Sequence, residues 1–250
     1  MSENLPEFFW VIYSGLPREG PGDNQSTQKA YRMLKDLPKK PRIIDIGCGP
    51  GMQTVELAKL SGGQIAALDF HEPFLEQLKE VVQKEGIADV VKPVKGDMFK
   101  LEFEDGSFDV VWSEGAIFVI GFEKGLREWK RLVAPNGYVV VSELTWLQND
   151  VPDDVREWMM QVYPPIKTIE ENVEVVQNSG YRLVDWFVLP AKSWWDNYYE
   201  PIETKLPSLK TRYGGDEEAM QVIAMQETEI DMFRRYSDYY GYVFYIMQVK

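Results

Sequence analysis

Three glycines within five residues stand at the end of an apolar run. Ile43-Ile44-Asp45-Ile46 leads into Gly47-Cys48-Gly49-Pro50-Gly51, and a helical pattern begins near Met52. A residue without a Cβ allows a sharp turn and lets a ligand approach the main chain closely. Strand, glycine turn and helix in this order therefore make a candidate ligand loop. A pyrophosphate-binding GxGxxG loop places its third glycine where helix and strand pack closely. Here that glycine comes one place early, and position 52 is methionine. Asp69, at the end of the second apolar run, lies 18 residues beyond Gly51, close to the roughly 20 at which an acid accepts ribose hydroxyls.

Other chemistry-bearing residues are sparse. Glu114 and Glu143 end the fourth and fifth apolar runs, and in open parallel sheets ligands gather at the carboxyl ends of the strands. A carboxylate there can orient or deprotonate an acceptor, or simply cap a helix. One cysteine, Cys48, makes no internal disulfide, and one histidine, His71, makes neither a His-rich metal site nor a Ser-His-Asp triad, so no metal is expected. Cys48 would present its backbone to the loop's ligand and bury its sulfur. His71 reads as a solvated loop residue rather than a base.

These groups sit in a chain of 250 residues, 44% hydrophobic, with 27 Lys+Arg against 40 Asp+Glu and a net charge of −13. Such a chain buries about three quarters of its unfolded surface and needs no covalent staple. Nucleic acids and anionic membranes are bound through clustered Lys and Arg, and the longest basic stretch is Lys39-Lys40-Pro41-Arg42. No 18-residue apolar run occurs, and Met1 to Pro17 carries Glu3 and Glu7 without a basic leader. The expectation is a cytoplasmic protein with a small-molecule partner and neither a nucleic acid nor a membrane; the oligomeric state stays open.

Short apolar runs alternate with amphipathic helices, the pattern of a doubly wound α/β parallel sheet. Strands are expected at Arg42–Ile46, Gln64–Leu68, Val90–Val94, Phe108–Trp112, Tyr138–Ser142, Tyr181–Leu189 and Gly241–Val249. One helix carries Phe74, Leu75, Leu78, Val81 and Val82 at helical spacing, and another Phe122, Leu126, Trp129, Leu132 and Val133. Further helices are expected at Ser26–Leu37, ended by Pro38, and near Asp153–Gln161 and Ile169–Asn178. This divides a single domain into an N-terminal cap (1–40), a core (41–190), a helical lid (191–240) and a last strand (241–250).

The arrangement Asp45-x-Gly47-Cys48-Gly49-x-Gly51 resembles that of class I methyltransferases that use S-adenosyl-L-methionine. Gly96-Asp97-Met98 and Arg131-Leu132-Val133-Ala134-Pro135-Asn136-Gly137 resemble later motifs of that family. The matches run from Ile43 to Glu143, about two fifths of the chain. Within the family the sequence is most similar to ubiquinone-biosynthesis-type small-molecule methyltransferases, several of which fold an N-terminal Gly-Pro-Gly turn and helix, here Gly20-Pro21-Gly22 and Ser26–Leu37, over the cofactor. The resemblance implies a Rossmann-like sheet of seven strands, the last antiparallel, with an N-terminal helical cap and a helical insertion before the last strand.

It also implies site roles. The amides of Gly47 to Gly51, with Asp45, Cys48 and Ser113 beside them, would cradle the amino-acid portion and sugar of S-adenosyl-L-methionine. Asp69 would take the ribose, Phe70 would flank the adenine, Asp97 would accept from its exocyclic amine, and Met98 would pack on the ring. Glu114, then Glu143, are the candidate bases for methyl transfer to a small molecule, with S-adenosyl-L-homocysteine as product. After the fourth strand stands Ser113-Glu114-Gly115-Ala116 and no Asn/Asp-Pro-Pro-Tyr, which argues against nucleobase or protein-amide acceptors.

Trp146, Trp194, Trp195 and Tyr198 are candidate acceptor-lining residues. Trp194, Trp195 and Tyr198 would share one helical face, suited to caging a cation or stacking a planar acceptor, or to packing alone. Two other functions stay open: a non-catalytic relative that binds S-adenosyl-L-methionine or S-adenosyl-L-homocysteine without turnover, and a dinucleotide oxidoreductase, which Met52 disfavours.

Overall fold

The described residues open on a strap that crosses the mouth of a sheet it does not join. The computed structural model describes residues 7–249; Glu3 and the rest of the first six residues of the expected cap, and Lys250 of the expected last strand, lie outside the described residues. Helix α1 (Glu7–Tyr13) is followed by turns and by α2 (Asn24–Arg32). Asp23 starts α2 by accepting the Ser26 N–H at 2.8 Å, a side-chain N-cap. The helix ends at Arg32 and not at Leu37, because the Tyr138 hydroxyl captures Lys35, accepting its N–H at 3.2 Å and donating to its carbonyl at 3.0 Å.

Strand and helix then alternate: β1 (Arg42–Ile46), α3 (Met52–Ser61), β2 (Gln64–Asp69), α4 (Glu72–Lys84), β3 (Val91–Lys95), β4 (Phe108–Ser113), α5 (Phe122–Trp129) and β5 (Val133–Trp146). After them come α6 (Asp153–Val162), β6 (Lys167–Thr168), α7 (Ile169–Asn178) and β7 (Tyr181–Val188). The insertion consists of α8 (Lys192–Trp194), a π-helical turn at Trp195–Tyr199, α9 (Glu200–Tyr213) and α10 (Glu217–Tyr236). Strand β8 (Tyr240–Val249) closes the chain.

The sheet order is β3-β2-β1-β4-β5-β8-β7, with β8 antiparallel to both neighbours. Seven strands were expected and eight are present among the described residues. β5 runs on to Trp146, beyond its last β4 pair at Val141, and β6 satisfies part of that open edge through Thr145↔Lys167 and Trp146↔Thr168. β5 also begins early, at Val133; its register slips at Pro135-Asn136-Gly137, where proline has no N–H to give and Asn136 adopts φ 62°.

Successive side chains leave opposite faces of a strand. Ile43, Val110, Trp112 and Val140 join the core beneath the N-terminal strap, α3, α4 and α8–α10. Ile44, Ile46, Val111 and Val139 join the core beneath α5 and α7. The order reverses between β1 and β4, which opens a crevice at their carboxyl ends. Among the described residues no helix is long and apolar enough to cross a membrane.

Candidate active site

At the crevice Gly47, Gly49 and Gly51 take φ of 73°, 54° and 91°, a region that side-chain-bearing residues avoid. A Cβ on Gly47 would stand 2.4 Å from Cβ of Ala116, so the loop after β1 and the loop after β4 meet only because this position is glycine. The expected cradle of amides is not what the loop presents. The Gly47 and Cys48 N–H groups both donate to the Leu68 carbonyl, Gly51 donates to Cys48, and Gly49 donates to Asp69. These amides hold the turn shut. The Gly47 carbonyl accepts no hydrogen bond from the described residues, so the loop's free polar group is an acceptor, suited to an ammonium rather than a carboxylate.

Asp69 closes that loop: its two oxygens accept from Gly49 N and His71 N, each at 2.9 Å, and burial raises its pKa. Asp45 is fully buried and accepts from Thr54 Oγ1 at 2.6 Å and Gln53 Nε2 at 3.2 Å, while its Oδ1 has no partner. Burial, opposed by Thr54, pushes Asp45 up to about 7. Ser113 Oγ donates to the Ile46 carbonyl at 2.8 Å, tying β4 to β1. Cys48 is buried with its thiol pushed up, and its sulfur points at the Gly49 carbonyl.

The loop after β3 lies alongside, with Met98 Cε 3.7 Å from the place a Gly47 Cβ would occupy. Asp97 is at the exposed rim and accepts the Phe99 N–H at 2.8 Å. Phe70 is exposed and contacts Trp10 edge-on. His71, read as solvated, is instead half-buried and stacked on Trp10 with ring centroids 4.2 Å apart, and burial lowers its pKa. The strap brings Trp10 there, a contact that no local spacing announces.

Glu114 is more heavily engaged than a free base would be. It accepts from Arg18 Nη2 at 2.7 Å, Thr27 Oγ1 at 2.7 Å and Trp112 Nε1 at 2.9 Å, in an ion pair sealed from solvent. Glu143 faces the other side of the sheet, since it pairs directly with Val243 of the second core. Its Oε1 accepts from Tyr163 Oη at 2.5 Å, its Oε2 has no partner, and burial pushes it up to about 8. The two carboxylates therefore do not converge on one point.

Two residues absent from the sequence reading sit over the loop. Arg18 is buried, and its Nε and Nη1 have no partners although Nη2 serves Glu114. Glu19 reaches to within 3.8 Å of the place a Gly49 Cβ would occupy, and burial beside Asp69 pushes it up to about 9. Their one sequence signal is Gly22, where any Cβ would strike the Arg18 guanidinium at 2.3 Å. The partners lie 50 to 100 residues away, beyond any helical or strand period.

Of the aromatic candidates, Trp194 stacks on Phe233 at 4.2 Å and on Tyr242 at 5.2 Å, Tyr198 lies parallel to Tyr13 at 6.0 Å, and Trp146 meets Tyr240 edge-on. Trp195 contacts the same Tyr199 and Phe233 rings as Trp194, and Tyr198 also packs on Tyr199. Trp195 lies half-buried in the π-helical turn, packed on Tyr199 at 5.4 Å and Phe233 at 6.1 Å, and the Arg234 guanidinium covers its ring at 4.9 Å.

A 3-2-1-4-5 parallel order, an antiparallel last strand and a glycine loop at the switch point together define the Rossmann-like methyltransferase fold. Residues 44–141 match the methyltransferase domain family. The chain is 33% identical over 149 residues to a demethylmenaquinone methyltransferase of Mycolicibacterium gilvum, covering 59% of this chain and 61% of that one. It is 32% identical over 114 residues to a sterol 24-C-methyltransferase of Gibberella zeae, covering 45% and 30%. The chain thus spans less than two thirds of these relatives' own length. A methyltransferase of Geobacter sulfurreducens solved with S-adenosyl-L-homocysteine superposes with a TM-score of 0.84 at 21% identity, covering 98% of this chain and 99% of that one.

Proposed function

We propose that this chain transfers a methyl group from S-adenosyl-L-methionine to a small molecule, as a cytoplasmic enzyme. The observation that carries the reading is a set of unsatisfied buried groups around a Cβ-free loop: Asp45 Oδ1, Arg18 Nε and Arg18 Nη1. A buried polar atom without a partner costs about 1–3 kcal/mol, and an α-amino acid, with one ammonium and one carboxylate, satisfies both kinds at once. Arg18 is suited to the carboxylate, and Asp45 with the Gly47 carbonyl to the ammonium. Asp69 and Glu19 are suited to the ribose hydroxyls, Met98 and Phe70 to the adenine faces, and Asp97 to its amine.

When bound, S-adenosyl-L-methionine supplies a methyl carbon already activated by a sulfonium. What remains for the protein is placement and exclusion of water. Glu114 serves that end as a positioning residue: through Arg18 and Thr27 it clamps the strap and α2 over the crevice. The Asn197 side chain, bonded to the Gly22 carbonyl at 3.1 Å, fastens the lid to the same strap. Glu143 holds Tyr163 and keeps one oxygen without a partner among the described residues.

Thermal unfolding with saturating S-adenosyl-L-methionine, S-adenosyl-L-homocysteine or NAD tests the reading, because a ligand selective for the native state raises stability. A rise with the two adenosyl ligands and none with NAD is expected. A rise with NAD alone would favour an oxidoreductase, and binding without release of S-adenosyl-L-homocysteine in any acceptor screen would favour a non-catalytic relative.

A further inference from the structure

The strap, the lid and β8 enclose a second buried acid that the cofactor does not use. Glu229 on α10 is half-buried, and burial pushes its carboxyl up to about 7. Tyr199 Oη donates to its Oε1 at 2.9 Å. One turn earlier on the same helix, Gln226 accepts from Tyr13 Oη at 2.9 Å, and Tyr198 Oη approaches Tyr13 Oη at 3.5 Å. Tyr13 lies parallel to Tyr198, which packs on Tyr199, and burial and then the Glu229 carboxylate raise the phenols of Tyr13, Tyr198, Tyr199 and Tyr240, while Glu143 acts ahead of Glu229 on Tyr242.

Two polar atoms in this group are buried with nothing to bond among the described residues: Gln226 Nε2 and Tyr240 Oη. The neighbouring cations are occupied elsewhere. Lys205 gives its ammonium to the carbonyls of Ile12 and Ser14, and Arg234 pairs with Glu203. Among the described residues no Lys, Arg or His nitrogen lies within 4.0 Å of Glu229. A buried carboxylate without a cation is strongly disfavoured, and aromatic faces around it attract an ammonium further. Tyr13 joins this group to the cofactor side, because Trp10 of the same helix stacks on His71, whose N–H donates to Asp69.

We propose that Glu229, with Tyr199, Tyr13 and Gln226 around it, anchors the methyl acceptor, and that this acceptor is a small aliphatic amine bound as its ammonium ion. The proposal rests on the methyl-transfer reading and adds the acceptor class. Glu229 takes the ammonium proton, the freed nitrogen lone pair forms a bond to the methyl carbon, and the electron pair of the broken C–S bond stays on sulfur. The sulfonium charge reappears on the methylated nitrogen. The surrounding groups are acids and phenols, with Arg18 already paired, so an anionic or phosphorylated acceptor finds no free cation here.

Calorimetric titration of the whole protein with tetramethylammonium chloride, against tert-butanol as a neutral probe of similar shape, tests this directly. Tetramethylammonium is expected to bind and tert-butanol not, with Glu229→Gln weakening the cation at least tenfold and Tyr199→Phe weakening it several-fold. S-adenosyl-L-homocysteine is titrated into the same samples. If it binds, and tetramethylammonium does not or binds Glu229→Gln equally well, the amine proposal is overturned while methyl transfer stands. Absence of S-adenosyl-L-homocysteine binding in the folded wild type overturns the methyl-transfer reading beneath it. Release of S-adenosyl-L-homocysteine with secondary or tertiary amines supports the proposal, and release with phenols or hydroquinones alone contradicts it.

Discussion

The glycine-loop half of the crevice and the tyrosine-lined half solve the same problem, exposing polar groups in a dry interior, by opposite means. In the first, residues close in sequence or on adjacent strands hold one another: Asp69 is bonded to Gly49, and Asp45 to Gln53 and Thr54. In the second, the partners are distant, as with Tyr13 and Gln226, 213 residues apart. The first half is a rigid turn fixed by local geometry. The second is assembled by closure of the strap and lid onto β8, and it leaves Glu229 without a cation. Between them lies the Arg18–Glu114 pair, which belongs to neither and joins both.

That pair offers the largest test of the contrast. Arg18→Met leaves Glu114 buried and uncompensated, and removing one partner of a buried ion pair costs about 3–5 kcal/mol, read by urea unfolding. The double variant Arg18→Met/Glu114→Gln is expected to regain most of it. A single-variant loss below 1 kcal/mol, in the range of a solvated pair, would show that the strap is not clamped as described.

Next in size is the loop itself. Gly47→Ala combines a φ of 73° with a 2.4 Å clash against Ala116, and strain and overpacking of this kind cost about 1–3 kcal/mol each. Gly49→Ala, with no atom closer than 3.7 Å, pays the backbone term alone, roughly 1–2 kcal/mol. Equal losses at the two positions would remove the claim that loop apposition selects glycine at Gly47.

The smallest effect per unit change is in pH. Burial raises Glu143 to about 8 and Asp45 and Glu229 each to about 7. A carboxyl whose folded pKa exceeds its unfolded value keeps its proton in the native state while the unfolded chain has lost it. With Glu19 raised to about 9, the ligand-free protein is therefore expected to lose stability as pH rises from about 4.5 to about 9, by on the order of 1 kcal/mol per pH unit for each proton retained. Glu143→Gln should flatten that decline. Stability rising across this window in urea titrations would contradict the burial assigned to these acids.

Legibility in the sequence followed the same division. The strand Arg42–Ile46 and the helix Ile169–Asn178 coincide with the observed elements, because apolar periodicity and a Thr168 capping box act within a few residues. The helix expected to reach Leu37 stops at Arg32 through a tertiary bond from Tyr138, which no local pattern carries. In the site, the glycine loop and Asp69 were visible as motifs, although the loop's amides turned out to be engaged internally. Arg18, Glu19 and Glu229 were not visible, since each acquires its meaning from a partner brought across the sheet.

The central claim is that the two halves are cofactor and acceptor sites of one crevice, and titration of S-adenosyl-L-homocysteine into wild type, Asp69→Ala and Glu229→Gln tests it most directly. Asp69→Ala is expected to weaken binding by about 1.5–3 kcal/mol, the scale of a hydrogen bond to a charged group, while Glu229→Gln leaves it within twofold of wild type. Unchanged affinity in Asp69→Ala, or an equal loss in both variants, would contradict the division.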